Sequence, residues 1–214
     1  MENERKLATI RSIQNLKREF EQWCQEDHDW EVTEKLDGSS MTVYFYGGEF
    51  GVCSRNLELK DDPSNTYWKV AKELELPAKL EIISRNITHS GIAIQGELIG
   101  PGIQGNPYGL LGHEFRVYDI FDILDQAYLG TDDRLRIIED FYFDHVPVLN
   151  NRYRLDPETT VGAILKDAEG DTQMPTKHAR EREGLVFKRV DGRHSFKAIS
   201  NKFLLKQEKM DMAA

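Results

Sequence analysis

Cysteine is nearly missing from this chain: only Cys24 and Cys53 occur in 214 residues, and they form no CxxC pair. A disulfide framework and a structural thiolate zinc site are therefore not expected, and a reducing compartment is the natural setting. No apolar run approaches the roughly 20 residues needed to span a bilayer, and the opening MENERKLATIRS has no apolar signal core. These absences predict a cytoplasmic protein. The chain has no G-x-x-x-x-G-K-[ST], which rules out a P-loop, and the glycines of GPGIQG do not form a G-x-G-x-x-G fingerprint after a strand. The six histidines lack ligand spacing, and internal repeats and low-complexity tracts are missing too.

What remains is a globular composition. The hydrophobic fraction is 39%, with ten Phe, eight Tyr and three Trp, enough for a substantial core in one large domain. The net charge of −9 is unevenly spread. Residues 176–214 carry ten Lys and Arg against five Asp and Glu, and the first 175 carry 18 against 32. A basic C-terminal segment on an acidic body suits local contact with a phosphate backbone, or simply a solvated tail.

Periodicity predicts a mixed α+β fold of antiparallel sheets with helices outside. IRSIQNLKREFEQW has the spacing of an amphipathic helix, with Ile13, Leu16, Phe20 and Trp23 on one face. WEVTEKL, MTVYFY and FGVCS alternate as strands, and GGE forms the turn between the last two. Asn65 or Thr66 caps a helix through YWKVAKEL, and Pro77 opens another through LEIISRN. GIAIQGELIG and FRVYDIFDI are buried strands around GPGIQGNPYGLLGH, too glycine-rich to be regular. TDDRLRIIEDFYF starts a helix at an N-cap Thr131, and VGAILKDAE forms a further one. GLVFKRV and HSFKAI close the chain as strands around Asp191-Gly192.

The chemistry centres on EKLDGSSM, residues 34–41, which joins two predicted strands. Either this is a hairpin turn with Lys35 solvated, or Lys35 is a nucleophile at the mouth of a pocket. Arg55 follows a strand, and Glu97 lies inside an apolar one, where an acid is costly unless paired, metal-bound or facing a cleft. Glu183 opens the strand that Lys188 closes, and Lys197 lies between Phe196 and Ala198. One site for a nucleoside triphosphate and a divalent metal accounts for these residues together. Lysines and arginine meet the phosphates, while Glu97 and Glu183 offer the oxygen ligands that magnesium prefers. Phe115 is the candidate for stacking on a purine.

The motif order resembles the covalent nucleotidyltransferases, the superfamily of ATP-dependent ligases and mRNA-capping enzymes. The matching runs are Lys35-Leu36-Asp37-Gly38, Ser54-Arg55-Asn56, Gly96-Glu97-Leu98, Phe115 to Ile120, Glu183 to Lys188, and the strand around Lys197. Within the superfamily, EVTEKLDGSSMTVY, IQGELIGPGIQGNPYGL and EREGLVFK look like bacterial RNA ligases of the Deinococcus type, and more distantly phage RNA-repair ligases. The resemblance implies an adenylyltransferase domain over residues 30–206, with a helical segment 1–29 before it, a tail 207–214 after it, and the OB-like module of that type absent. In the last motif Ile199 stands where the phage enzymes carry a second lysine, with Lys202 nearby, and Ser40 replaces their asparagine.

The same resemblance implies ATP as substrate and Mg2+ or Mn2+ as metal, with Lys35 forming a lysyl-AMP. AMP would then pass to a 5′-phosphate end that a 3′-OH seals, at nicks in RNA or RNA/DNA hybrids. It assigns Lys188 and Lys197 to the α-phosphate, and Arg55 to the AMP phosphate or the incoming end. Glu97 and Glu183 are assigned to ribose or metal, Phe115 to adenine, and Glu34 and Gly38 to the ATP site. An accessory protein could replace the OB-like module. A capping-type guanylyltransferase, a DNA ligase and a nucleotide-binding module without sealing activity remain alternatives.

Overall fold

The computed structural model describes residues 10–88, 91–176 and 180–212. Two sheets organise them. The first has the strand order β1-β11-β10-β2-β9, from Arg11–Ser12, Ser195–Ile199, Gly184–Arg189, Asp29–Lys35 and Val148–Arg154. The second has the order β5-β4-β3-β6-β7-β8, from Glu58–Leu59, Glu49–Cys53, Ser39–Tyr46, Gly91–Ile99, Glu114–Asp122 and Ala127–Tyr128. Every pairing is antiparallel except that of β1 with β11. The expected α+β architecture is thus present.

Alternation along the strands gives each sheet an apolar outer face. Trp30, Val32, Leu185, Phe187, Phe196 and Ala198 cover one side of the first sheet and pack against α1 (Lys17–Trp23) and α5 (Val161–Asp167). Met41, Val43, Ile92, Ile94, Phe115 and Val117 do the same on the second sheet, against α2 (Thr66–Glu73), α3 (Leu76–Ile83) and α4 (Thr131–Asp140). The polar faces are left to meet each other, because apolar burial has taken the opposite sides. Lys188 of β10 and Asp119 of β7 join the two sheets, Nζ to Oδ1, at 2.9 Å. Deeper still, Arg134 of α4 pairs with Glu31 of β2, both fully buried.

Several local predictions change. The amphipathic stretch from Ile10 is not one helix: Arg11 and Ser12 pair with Phe196 and Lys197, and a 3-10 turn over Ile13–Asn15 precedes α1. Ile13, Leu16, Phe20 and Trp23 still share one buried cluster, so the apolar face was correctly read while its backbone was not. Of the segment 1–29, residues 1–9 lie outside the described residues. Gly130, not Thr131, caps α4, whereas Asn65 caps α2 through the Tyr67 and Trp68 amides as expected. The strand β9 and the helix α6 (Asn201–Asp211) escaped the pattern reading because both are largely exposed and carry no strong apolar period.

Candidate active site

The segment EKLDGSSM is not a hairpin turn. Lys35 ends β2 in one sheet and Ser39 begins β3 in the other, so Leu36, Asp37 and Gly38 form a crossover between sheets. The crossover lies hard against β6. A β-carbon at Gly38 would sit 2.6 Å from the Leu98 carbonyl oxygen, so only glycine fits. Leu36 is sealed among Ile99, Tyr108, Val146 and Met174, which fixes the direction in which Lys35 leaves its strand.

Lys35 opposes Gly184 in the ladder, which brings the preceding Glu183 alongside it. Lys35 Nζ lies 2.7 Å from Glu183 Oε1. From the other sheet, Glu97 of β6 opposes Ser40 of β3 and turns to the same cleft, its carboxyl pushed up to about 7. Burial is the main cause and Glu183 and Asp37 add repulsion, while Lys35 and Arg55 pull the other way. Glu183 is raised for the same first reason. Lys197 extends from β11 on the face opposite Phe196 and Ala198. Burial holds its ammonium below the ordinary lysine range, and the charges of Lys35 and Arg55 push the same way. Lys35, Arg55, Glu97, Glu183 and Lys197 therefore converge, as the sequence predicted.

Two other sequence-predicted residues stand elsewhere, and a third is committed to protein partners. Phe115 is 2% exposed, part of the outer core, with its ring occupying the space a Gly96 side chain would need. It cannot stack on a ligand in the cleft. The aromatic ring on the cleft face is Tyr118, whose hydroxyl lies 3.2 Å from Ser40 Oγ. Glu34, 1% exposed, shares the face of Trp30 and Val32, and its carboxylate accepts from Thr172 Oγ1 and the Gln173 amide. Strand alternation sends it away from Lys35. Lys188 is on the cleft face but buried, with its Nζ donating to the Tyr118 carbonyl and paired with Asp119. Burial lowers its pKa. Two of its three donors are thus committed to the protein. Lys202 is engaged by Glu169 at 3.0 Å, outside this group.

Sequence reasoning left Tyr118, Asp119, Tyr108 and Arg180 out of the site. A signal for Tyr118 was present in FRVYDIF, where apolar Phe115 and Val117 alternate with Arg116 and Tyr118. The register shift between Gln95 and Gly96 then moves Ile120 to the apolar face, and no alternation rule reveals that irregularity. Arg180 pairs with Asp37 at 3.2 Å from a segment with no periodicity.

Glu97 and Glu183 would suit a hard divalent cation. Two carboxylates with raised pKa values would be relieved by a divalent cation, and magnesium or manganese held by them would screen substrate phosphates. Among the described residues no group of three or more His, Cys, Asp or Glu forms a metal site by itself.

Two antiparallel sheets facing one another across a cleft with a lysine at the crossover define a nucleotidyltransferase domain. Residues 28–203 match the RNA ligase family, and the chain belongs to it. Solved structures of an RNA ligase from Naegleria gruberi are similar throughout. A variant with ATP and Mn is 38% identical at a TM-score of 0.86, covering 97% of this chain and 59% of that one. The form with PPi is 39% identical at 0.84, covering 95% and 58%. A variant with AMP and Mn is 38% identical at 0.85, also covering 95% and 58%. The chain thus spans a little under three fifths of the length of these relatives. No curated protein matches it. Among the described residues no helix is long and apolar enough to cross a membrane.

Proposed function

We propose that this chain is an ATP-dependent RNA ligase that forms a lysyl-AMP on Lys35, and that it resembles the Deinococcus type. The observation that carries the proposal is the placement of Lys35 at the inter-sheet crossover, 2.7 Å from Glu183, with Glu97, Lys197 and Arg55 around it. The Naegleria ligase has been solved with ATP, with AMP and with PPi, which are the substrate and the two product fragments of such a first step.

In that step the lone pair of the Lys35 amine attacks the α-phosphorus of ATP. The bond from that phosphorus to the oxygen bridging to the β-phosphate breaks, pyrophosphate leaves with its electron pair, and the amine gives up a proton. Glu183, already within hydrogen-bond reach of Nζ, orients the amine and is the nearest acceptor for that proton. Lys197 and Arg55 offset phosphate charge, and Glu97 and Glu183 would hold a divalent cation that screens the phosphates. Tyr118, not Phe115, supplies the adenine platform. Lys188 acts one layer below, steadying the strand that carries Tyr118 instead of touching the α-phosphate.

The remaining steps transfer AMP to a 5′-phosphate end and let a 3′-OH displace it, at nicks in RNA or RNA/DNA hybrids. Grip on the polynucleotide would come from a separate module, in cis or from an accessory protein, and the setting is the cytoplasm. Incubation with α-labelled ATP and Mn2+, followed by denaturing electrophoresis, tests the first step. The protein is expected to carry the label, α-labelled GTP to give at least about ten-fold less, and Lys35→Ala to give none. Label persisting in Lys35→Ala, or a preference for GTP, contradicts the assignment. RNA and DNA nicks offered in parallel test the choice of strand.

A further inference from the structure

We propose that Tyr108, at the heart of the glycine-rich segment between β6 and β7, is a positioning residue that sets the reactivity of Lys35 by holding the crossover beside it; this rests on Lys35 being the nucleophile. The crossover needs such a device. It lies between two sheets, so neither ladder fixes Leu36, Asp37 and Gly38. The Asp37 amide donates to the Tyr108 hydroxyl at 2.7 Å. The phenol ring, 4% exposed, packs with Leu36 and Ile99 on the same side. A second contact comes from the same segment, where Gln104 Nε2 donates to the Gly38 carbonyl at 3.4 Å.

The segment is built to reach that position. Between Gly100 and Gly109 six residues have positive φ, among them the non-glycines Gln104 at 45° and Asn106 at 52°. Such values cost free energy unless surrounding contacts enforce them. Asn106 supplies part of the enforcement, donating to the Leu110 carbonyl and accepting from its amide, which closes the turn over Tyr108. Asp37 is held at its other end too, by Arg180, so amide and carboxylate are fixed from two different segments. Lys35 is only two residues upstream. A shift of the crossover by a fraction of an ångström would swing Nζ off the line of attack, and in-line transfer punishes such errors severely.

The test is Tyr108→Phe, which keeps the packed ring and removes only the hydroxyl. With wild-type protein that labels normally, the variant is expected to form lysyl-AMP roughly ten-fold more slowly at saturating ATP, with the KM for ATP within about two-fold. Sealing of a pre-adenylylated RNA end, which does not use the Lys35 amine as nucleophile, is expected to stay near the wild-type rate. A purely structural role would instead lower both rates together with the melting midpoint. Unchanged adenylylation, or equal losses in both assays, overturns the proposal. Hydrogen exchange judges the contact itself. The peptide containing Asp37 is expected to be protected in the wild type and faster in Tyr108→Phe, and equal exchange in the two overturns it as well. Failure of the wild type to take up label would sink the functional assignment while leaving this second measurement decisive for the crossover.

Discussion

At Glu97 burial and function pull in opposite directions. Its carboxyl is raised to about 7 from an ordinary 4.5, chiefly by burial. A folded-state pKa above the unfolded one means that the fold binds this proton more tightly, so its stabilising share is complete at low pH and is lost as pH rises from about 4.5 through 7. Above pH 7 the ionised group is a standing penalty that a metal or a nearby cation relieves. Glu97→Gln should therefore stabilise the metal-free protein on the order of 2 kcal/mol at pH 8 and much less at pH 5, as urea unfolding at the two values will measure. The same substitution should strongly impair adenylylation, the usual conflict between stability and a working site. For the wild type, adenylylation should fall as pH drops through 7, with saturating metal moving the inflection to lower pH.

The aromatic pair on β7 separates core from site by mutation. Tyr118→Ala should raise the KM for ATP and cost less stability than Phe115→Ala, which should cost about 3–5 kcal/mol by opening a core cavity. The reverse pattern would restore Phe115 as the adenine platform. Residue identity made Lys35, Arg55, Glu97 and Glu183 legible in the sequence as site candidates, because charges inside or at the ends of apolar strands demand a partner. Glu34 and Lys188 were equally conspicuous as charges, yet the fold engages Glu34 with Thr172 and Gln173 and Lys188 with Tyr118 and Asp119. Nothing in residue type distinguishes a carboxylate bonded to Thr172 and Gln173 from one facing a nucleotide.

At the scale of elements the sheets are tied together by buried charge. Arg134 of α4, Glu31 of β2, Asp119 of β7 and Lys188 of β10 form one chain of charges under the cleft. His145 lies among them with its pKa pushed down to about 3, by burial first and by Arg134 and Lys188 next, so it stays neutral. Breaking such a network from one side is expensive. Arg134→Met should destabilise the fold by about 3–5 kcal/mol, and adding Glu31→Leu should recover a large part of it, as denaturant titration of the single and double variants will tell. The strands of this assembly were legible because their outer faces alternate cleanly. Their distribution over two sheets was not, since EKLDGSSM has the composition of a tight turn and only long-range pairing shows that β2 and β3 part company. The 3-10 turn before α1 escaped for a related reason: Ile13 and Leu16 serve one apolar cluster whichever helical pitch carries them.

Across the whole molecule, two apolar outer faces force two polar inner faces together, and the site lies where they meet. The residues assigned to the proposed first step are gathered there, whereas the chain is acidic overall, with its basic excess in residues 176–214. Adenylylation should therefore be tolerant of salt. Sealing of an RNA nick should lose about ten-fold or more between about 50 and 200 mM salt, because gripping a phosphate backbone releases its condensed counterions. Comparing single-turnover rates of the two steps across that range will check it, and parallel losses would mean that phosphate contacts dominate the nucleotide site itself.

The most direct measurement is peptide-resolved mass spectrometry of the protein after incubation with ATP and Mn2+. One AMP on the peptide containing Lys35, released by added pyrophosphate, is the predicted result. AMP on a different residue, or none on a folded protein supplied with metal, would contradict the claim that Lys35 is the covalent handle of this site.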